Sequence, residues 1–218
     1  MDKPIRTKKN GEPWKTTKGF KFEIEVLSKE ELERIIRLTS LRYPTGIRNR
    51  ALIAVGCYAG LRLSEALGLE LKDIDFKACS INVRYAKGKK QRVVGLDSST
   101  AVALQRWIDI RRRDKKHNMS FSIQHKLFCT LKGEPLSDFY VRAFMRRLGE
   151  RAGVEKRVHY HALRHFYSFQ EIQAGTPVNE LKDDLGHANI STTNTYVNHV
   201  APMARIERAK KRQREVEI

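Results

Sequence analysis

The stretch from His159 to His199 constrains this chain more than any other, because it concentrates side chains that bind phosphate and transfer protons. It reads HYHALRHFYSFQEIQAGTPVNELKDDLGHANISTTNTYVNH. His161 and Arg164 lie three residues apart on a predicted helix, so both project from one face, and His165 follows one position later. The segment therefore predicts a cationic site on one helix face.

The second half of this stretch adds a nucleophile. Gly186-His187 is predicted to end one helix, and the Ser-Thr-Thr run that follows opens another, which carries Tyr196. An arginine that holds phosphate oxygens, histidines that handle protons and a tyrosine that attacks suit cleavage of a phosphodiester. Taken alone, Tyr196 would be interpreted as a core tyrosine. A structural ion pair is the alternative for Arg164, although an arginine beside a histidine on a buried face more often marks phosphate recognition.

The charge of the chain indicates its partner. Its 218 residues hold 43 Lys and Arg against 25 Asp and Glu, a net charge of +18. This excess favours a polyanion, nucleic acid before membrane, although a merely basic protein is the alternative. No apolar run reaches the length of a membrane span, and Met1-Asp2-Lys3 begins no signal peptide.

The sequence predicts neither a metal nor a cofactor. Three widely spaced cysteines form no CxxC pair, so they indicate a reduced, intracellular chain without a zinc ribbon or a disulfide framework. The histidines have mixed spacing and no cysteine partner, which argues against zinc. No carboxylate cluster suits Mg²⁺, and no glycine motif suits a nucleotide.

The hydrophobic pattern predicts a mainly α-helical α+β chain with a small antiparallel three-stranded sheet. Ser28 and Glu31 form a capping box that opens the first helix, and a largely buried helix begins near Ile47. SINVRYA and RVVGL read as a β-hairpin, with LFCT at 127–130 as a third strand. Further helices are predicted over 98–116, over Leu136–Ala152 with Ser137 as its cap, and in a charged C-terminal segment.

Two further basic features precede the histidine-rich stretch. Arg62 and Glu65 are spaced i, i+3 after a glycine turn, so the carboxylate can orient the guanidinium, although an ordinary intrahelical ion pair has the same spacing. A cluster at the hairpin tip can reach a phosphate or can be a solvated turn. Its members are Lys87, Lys89, Lys90 and Arg92.

Five motifs in this order resemble the tyrosine recombinase (phage integrase) family over roughly residues 27–200. The Gly-Leu-Arg-x-Ser-Glu motif stands at Gly60–Glu65, and AKGKKQR at 86–92 is similar to the hairpin that carries the family's lysine, here Lys87. His-x-Leu-Arg-His stands at His161–His165 and Leu-Gly-His at Leu185–His187. Tyr196 follows nine positions later, as in the family pattern.

The resemblance implies the family's catalytic fold and DNA strand exchange through a 3′-phosphotyrosyl intermediate, without metal or ATP. Tyr196 would attack the scissile phosphate, Arg62 and Arg164 would bind its non-bridging oxygens, and Lys87 would protonate the leaving 5′ oxygen. His161 would serve as base or acid and His187 would hydrogen-bond the phosphate. Supporting roles fall to Glu65 and His165, and candidate DNA contacts to Lys89, Lys90 and Arg92.

The resemblance also shapes the predicted organisation: a basic arm or linker over 1–26, the catalytic domain over 27–200 and a helical tail over 201–218. The tail can pack in place, exchange between protomers or fray. A basic arm of 26 residues is too short to form the family's N-terminal core-binding domain, so the chain is either part of a longer protein or a minimal recombinase.

Double-stranded DNA is the expected partner, with a homo-tetramer on paired sites, weak association without DNA, and accessory DNA-bending proteins as possible helpers. The expected location is cytoplasmic, on the nucleoid or on host-cell DNA. Two other functions remain open: a type IB topoisomerase-like relaxase with the same cleavage chemistry, and a non-catalytic DNA-binding regulator that retains the fold.

Overall fold

The computed structural model describes residues 25–84, 91–113, 126–186 and 206. The helices are α1 (Lys29–Arg37), α2 (Pro44–Cys57), α3 (Leu63–Gly68), α4 (Ser98–Arg113), α5 (Asp138–Arg151), α6 (Tyr160–Ala174) and α7 (Val178–Leu185). The strands are β1 (Ile74–Asp75), β2 (Ser80–Val83) and β3 (Arg92–Gly95), preceded by a 3-10 turn at Leu71–Asp73. The prediction of a mainly helical chain with a small antiparallel three-stranded sheet is confirmed.

Helix α2 forms the centre of the core, since it packs against α3, α4 and α6 and is buried on every side between Ala51 and Cys57. It begins at Pro44, three residues before the predicted start, because proline fits the first helical turn, where no intrahelical N–H bond is needed. Gly56 permits close packing on α6, because an added Cβ would lie 2.9 Å from the Leu163 side chain.

The first helix begins as the sequence predicts. The Ser28 hydroxyl accepts from the backbone N–H of Glu31 at 3.2 Å, and the Glu31 carboxylate accepts from the backbone N–H of Ser28 at 2.7 Å. The predicted capping box is therefore present, and it directs Leu32 and Ile35 into the core.

The sheet contains the predicted hairpin but a different third strand. Strand β2 pairs antiparallel with β3, with Ile81 opposite Val94, and its other edge pairs with β1. The prediction of a strand at 127–130 is wrong: this segment forms only isolated bridges, Glu70 to Lys126 and Cys129 to Pro135. It lies buried beneath α4, where the Trp107 indole N–H donates to the Leu127 carbonyl at 2.8 Å.

Helices α6 and α7 carry the first part of the histidine-rich stretch. Both end in glycines with left-handed backbone, Gly175 and Gly186. A small apolar cluster around Leu181 and Leu185 holds α7 against α6. None of the helices in the described ranges is long and apolar enough to cross a membrane.

Candidate active site

The carboxylate of Glu65 is the centre of the site. The chain leaves α2 through Gly60, whose φ is +63°, and Arg62 then precedes the first residue of α3. Because Glu65 stands three residues after Arg62, its side chain turns back to the helix start. It accepts from the Arg62 backbone N–H at 2.9 Å and from its guanidinium at 2.7 Å, so the predicted pair is present.

A second guanidinium holds the same carboxylate. Arg92, the first residue of β3, donates from Nη1 to Oε1 of Glu65 at 3.0 Å and from Nη2 to Oε2 at 2.9 Å. Its side chain is only 10% exposed. This placement differs from the DNA contact predicted for Arg92, because a two-pronged ion pair with a buried acid occupies the guanidinium inside the protein.

Arg164 is the third cation of the site. Its side chain has no exposed surface, and its Nη1 lies 3.9 Å from Oε2 of Glu65. The same guanidinium donates to the carbonyl of Gly60 at 2.7 Å and to that of Leu185 at 2.5 Å. Arg164 therefore joins α6 to the turn before α3 and to the end of α7.

The three arginines also cap the C-terminal end of α7. Its last carbonyls lack intrahelical donors and carry the negative end of the helix dipole. Three consecutive carbonyls accept one arginine each: Asp184 from Arg92 at 2.6 Å, Leu185 from Arg164 at 2.5 Å, and Gly186 from Arg62 at 3.0 Å. The guanidiniums thus fix the residue that directly precedes His187.

The charges around Glu65 leave an excess of positive charge. Burial raises the pKa of this carboxylate, but hydrogen bonds and charge from Arg92, together with hydrogen bonds from Arg62, outweigh that effect and lower the pKa to about 2. At neutral pH three guanidiniums therefore surround one ionised carboxylate, with Arg164 as the third. This net charge of about +2 suits an anion whose charge increases during reaction.

The predicted histidines lie beside this cluster. The rings of His161 and His165 meet edge to face with centroids 4.6 Å apart. Partial burial, followed by the charges of Arg164, His159 and Arg62, lowers the pKa of His161 to about 4. His161 remains exposed to solvent, so it can meet a ligand. At neutral pH it is uncharged and can accept a proton.

Several predicted site residues lie outside the described ranges: Lys87, Lys89, Lys90, His187 and Tyr196. The residue before the lysine-bearing segment is anchored, however, because Arg84 forms ion pairs with Asp73 and with Glu70. Arg92 follows the segment. Within the described ranges, no three His, Cys, Asp or Glu side chains converge as a metal site requires.

Sequence reasoning missed two features of the site. It groups Arg92 with the lysines of the hairpin, although the position of this residue at the start of the predicted strand RVVGL was an available signal. It assigns no role at the site to Tyr167. The Tyr167 hydroxyl donates to the Asp184 carboxylate at 3.2 Å, and its ring fills the space beside Gly60.

Comparison with solved structures defines the fold as that of a tyrosine recombinase catalytic domain. The chain matches the crystal structure of XerA recombinase with a TM-score of 0.75 and 28% identity, over 88% of this chain and 66% of that one. It matches XerH site-specific recombinase, bound to a palindromic difH substrate in a post-cleavage complex, with a TM-score of 0.71 and 25% identity. That match covers 93% of this chain and 60% of XerH.

The family is also evident from sequence. The model of the phage integrase family matches residues 25–202, and the chain belongs to that family. It is 33% identical over 184 residues to tyrosine recombinase XerC of Halalkalibacterium halodurans, a match that covers 84% of this chain and 60% of the relative. The chain thus spans less than two thirds of these relatives. The family suspected from the five motifs is confirmed.

Proposed function

We propose that this chain is a site-specific DNA recombinase that cuts and rejoins double-stranded DNA through a covalent 3′-phosphotyrosine at Tyr196. The observation that carries the proposal is the convergence of Arg62, Arg92 and Arg164 on one buried carboxylate, beside a neutral histidine. Relatives named as tyrosine recombinases, and one solved in a post-cleavage complex with its DNA substrate, support it.

The scissile phosphate would bind between Arg62 and Arg164. Its non-bridging oxygens gain negative charge in the pentacoordinate transition state, so fixed guanidiniums stabilise that state more than the ground state. Arg164 is fully buried and bonded to the Leu185 carbonyl, while Arg62 is bonded to that of Gly186. In the proposed complex the phosphate replaces these two carbonyls as acceptor of the guanidiniums.

The remaining roles complete the chemistry. A neutral His161 accepts the proton as the Tyr196 oxygen attacks phosphorus and the bond to the 5′ oxygen breaks. Lys87 donates a proton to that leaving oxygen, and His187 hydrogen-bonds the phosphate. Rejoining reverses these steps. No external energy source is needed, because the phosphotyrosyl bond retains the free energy of the phosphodiester.

The proposal extends to assembly. Strand exchange joins four strands, so four protomers would act on two DNA sites, with residues 201–218 docking between neighbours and the 1–26 arm following the backbone. Association with chromosomal or host DNA, and help from DNA-bending proteins, belong to the same proposal. A relaxase would need only one site, and a regulator would leave no covalent product.

A trapping experiment tests the proposal. A cognate duplex is first selected from a randomised library by binding and cleavage mapping. A version nicked beside the scissile phosphate then loses its leaving fragment, so a cleaving protein remains attached to the DNA after denaturation. We expect wild type to leave this adduct and Tyr196→Phe to lose it. The control is Tyr43→Phe, an exposed tyrosine at the start of α2, which should trap normally.

Two results would contradict the proposal. Absence of an adduct from wild type on every selected duplex would favour a non-catalytic regulator. If an adduct forms, joining of two linear duplexes is compared with relaxation of a single-site supercoiled plasmid. Relaxation without any two-site product would favour a topoisomerase-like enzyme over a recombinase.

A further inference from the structure

We propose that Arg92 is a positioning residue for the phosphate-binding arginines: it fixes Glu65 and the end of α7 and makes no DNA contact itself. The inference rests on the proposed function, because Arg62 and Arg164 must be the groups that bind phosphate. Its basis is that one side chain, at the start of β3, bridges the carboxylate at the centre of the site and the helix that leads to His187.

Arg92 determines the orientation of the Glu65 carboxylate. Each carboxylate oxygen accepts one bond from the Arg92 guanidinium and one from Arg62. The fork of Arg92 allows only one plane for the carboxylate, whereas the bonds from Arg62 come from two different groups. Without Arg92 the carboxylate would be free to turn and to draw Arg62 and Arg164 away from a phosphate.

Arg92 also remains in place when the other two arginines act. In the proposed reaction Arg62 and Arg164 leave the carbonyls of Gly186 and Leu185 to hold the phosphate. The bond from Nε of Arg92 to the Asp184 carbonyl does not compete with that exchange. It therefore keeps the last turn of α7 attached to the site during the step in which two of its three caps are withdrawn.

The close fit around Arg92 agrees with this role. An added Cβ at Gly186 would lie 2.9 Å from Nη1 of Arg92, and the φ of Gly186 is +59°. The helix end is thus shaped to let its backbone pass beside this guanidinium. A lysine at position 92 would keep the charge but could not bond both oxygens of Glu65 and the Asp184 carbonyl in fixed directions.

Three variants test the inference: Arg92→Met, Arg92→Lys and the matched control Arg84→Met. Arg84 lies at the same end of the hairpin, directly after Val83, which pairs with Arg92, but its ion pairs are with Asp73 and Glu70 and not with Glu65. Each 218-residue protein is assayed on the nicked duplex for single-turnover cleavage, DNA affinity at several salt concentrations, and thermal unfolding. Cleavage is repeated with a methylphosphonate, which replaces one charged non-bridging oxygen by a neutral methyl group.

We expect cleavage by Arg92→Met to fall by about 100-fold and that by Arg92→Lys by about tenfold, with affinity within about twofold of wild type. The defect should be smaller on the methylphosphonate, because its transition state carries less negative charge for correctly oriented arginines to stabilise. Any defect of Arg84→Met should be the same on both duplexes. Arg92→Lys keeps the test decisive if Arg92→Met fails to fold.

Several results would overturn the inference alone. One is unchanged cleavage by both Arg92 variants. Another is an equal defect on both duplexes, which would mean a purely structural role. A third is weaker binding together with a slope of log affinity against log salt that is shallower by about 0.9, which would mean that Arg92 contacts a phosphate directly. A wild-type chain that leaves no adduct on either duplex would instead overturn the proposed function, and this inference with it.

Discussion

Burial of a histidine changes how a fold responds to pH, and His165 is the clearest case in this chain. Burial, followed by the charges of His161, His159 and Arg164, lowers its pKa from 6.5 to about 3. In the unfolded chain it takes up a proton below pH 6.5, whereas the folded chain does not until about pH 3. Protonation therefore favours unfolding throughout that window.

Within that window, His165 alone should lower the free energy of unfolding by about 1.4 kcal/mol for each unit by which the pH falls. Urea unfolding of wild type and His165→Asn at pH 7.5 and 5.5 measures it. The free energy of unfolding of the variant should depend less on pH than that of wild type, by the contribution of roughly one proton, whatever its stability at pH 7.5. A variant with the same dependence as wild type would show that His165 is protonated in the folded chain.

At the scale of elements, the junction between α2 and α3 sets the position of Arg62 and of the carbonyl that Arg164 binds. Gly60 has a φ of +63°, and a Cβ there would lie 2.5 Å from the Tyr167 ring. Gly153 has a similar φ of +61° but open space around its Cβ position. A substitution at Gly153 therefore introduces backbone strain alone, whereas one at Gly60 introduces backbone strain and a steric clash.

We expect Gly153→Ala to lower the free energy of unfolding by about 1 kcal/mol through backbone strain alone. Gly60→Ala should cost about 1–3 kcal/mol more, because Tyr167 must move, and it should also slow cleavage. Denaturant titration and the trapping assay measure the two effects. Equal stabilities of the two variants would mean that Tyr167 adapts without strain.

Local signals explain which elements could be predicted from sequence. The capping box of α1 lies within four residues, and the β2–β3 hairpin is continuous in sequence, so both were predictable. Strand β1 has two residues, too few for an alternating pattern, and 127–130 is apolar because it lies beneath Trp107. Arg92 contacts Glu65, 27 positions earlier in the chain, and Asp184, 92 positions later. Sequence spacing carries no information about contacts over such separations.

Charge acts at the scale of the whole molecule. The formal net charge is +18, and the exposed face of α5 contributes Arg142, Arg146 and Arg147. Phosphate contacts release counterions from DNA, so the logarithm of affinity should fall with the logarithm of salt concentration by about 0.9 per phosphate contacted. We expect a slope of about −5 or steeper for the selected duplex, since so basic a chain should meet several phosphates.

Titration of binding between 50 and 300 mM salt, roughly the range over which such slopes are linear, measures this dependence. Arg37→Gln serves as control: this residue lies on α1, its side chain is 81% exposed, and its partner is Glu33. The slope should be unchanged by that substitution if Arg37 lies outside the DNA footprint. A nearly flat dependence would mean that contacts other than ionic ones dominate binding.

The capped end of α7 gives the site one more property. All three guanidiniums already hold main-chain oxygens, and those of Arg92 and Arg164 belong to side chains that are 10% and 0% exposed, so folding has removed most of their hydration in advance. An incoming phosphate exchanges one set of oxygen acceptors for another on Arg62 and Arg164, so little further water has to leave these two guanidiniums. The end of α7 thus occupies the phosphate-binding arginines in place of the substrate and keeps them rigid until DNA arrives.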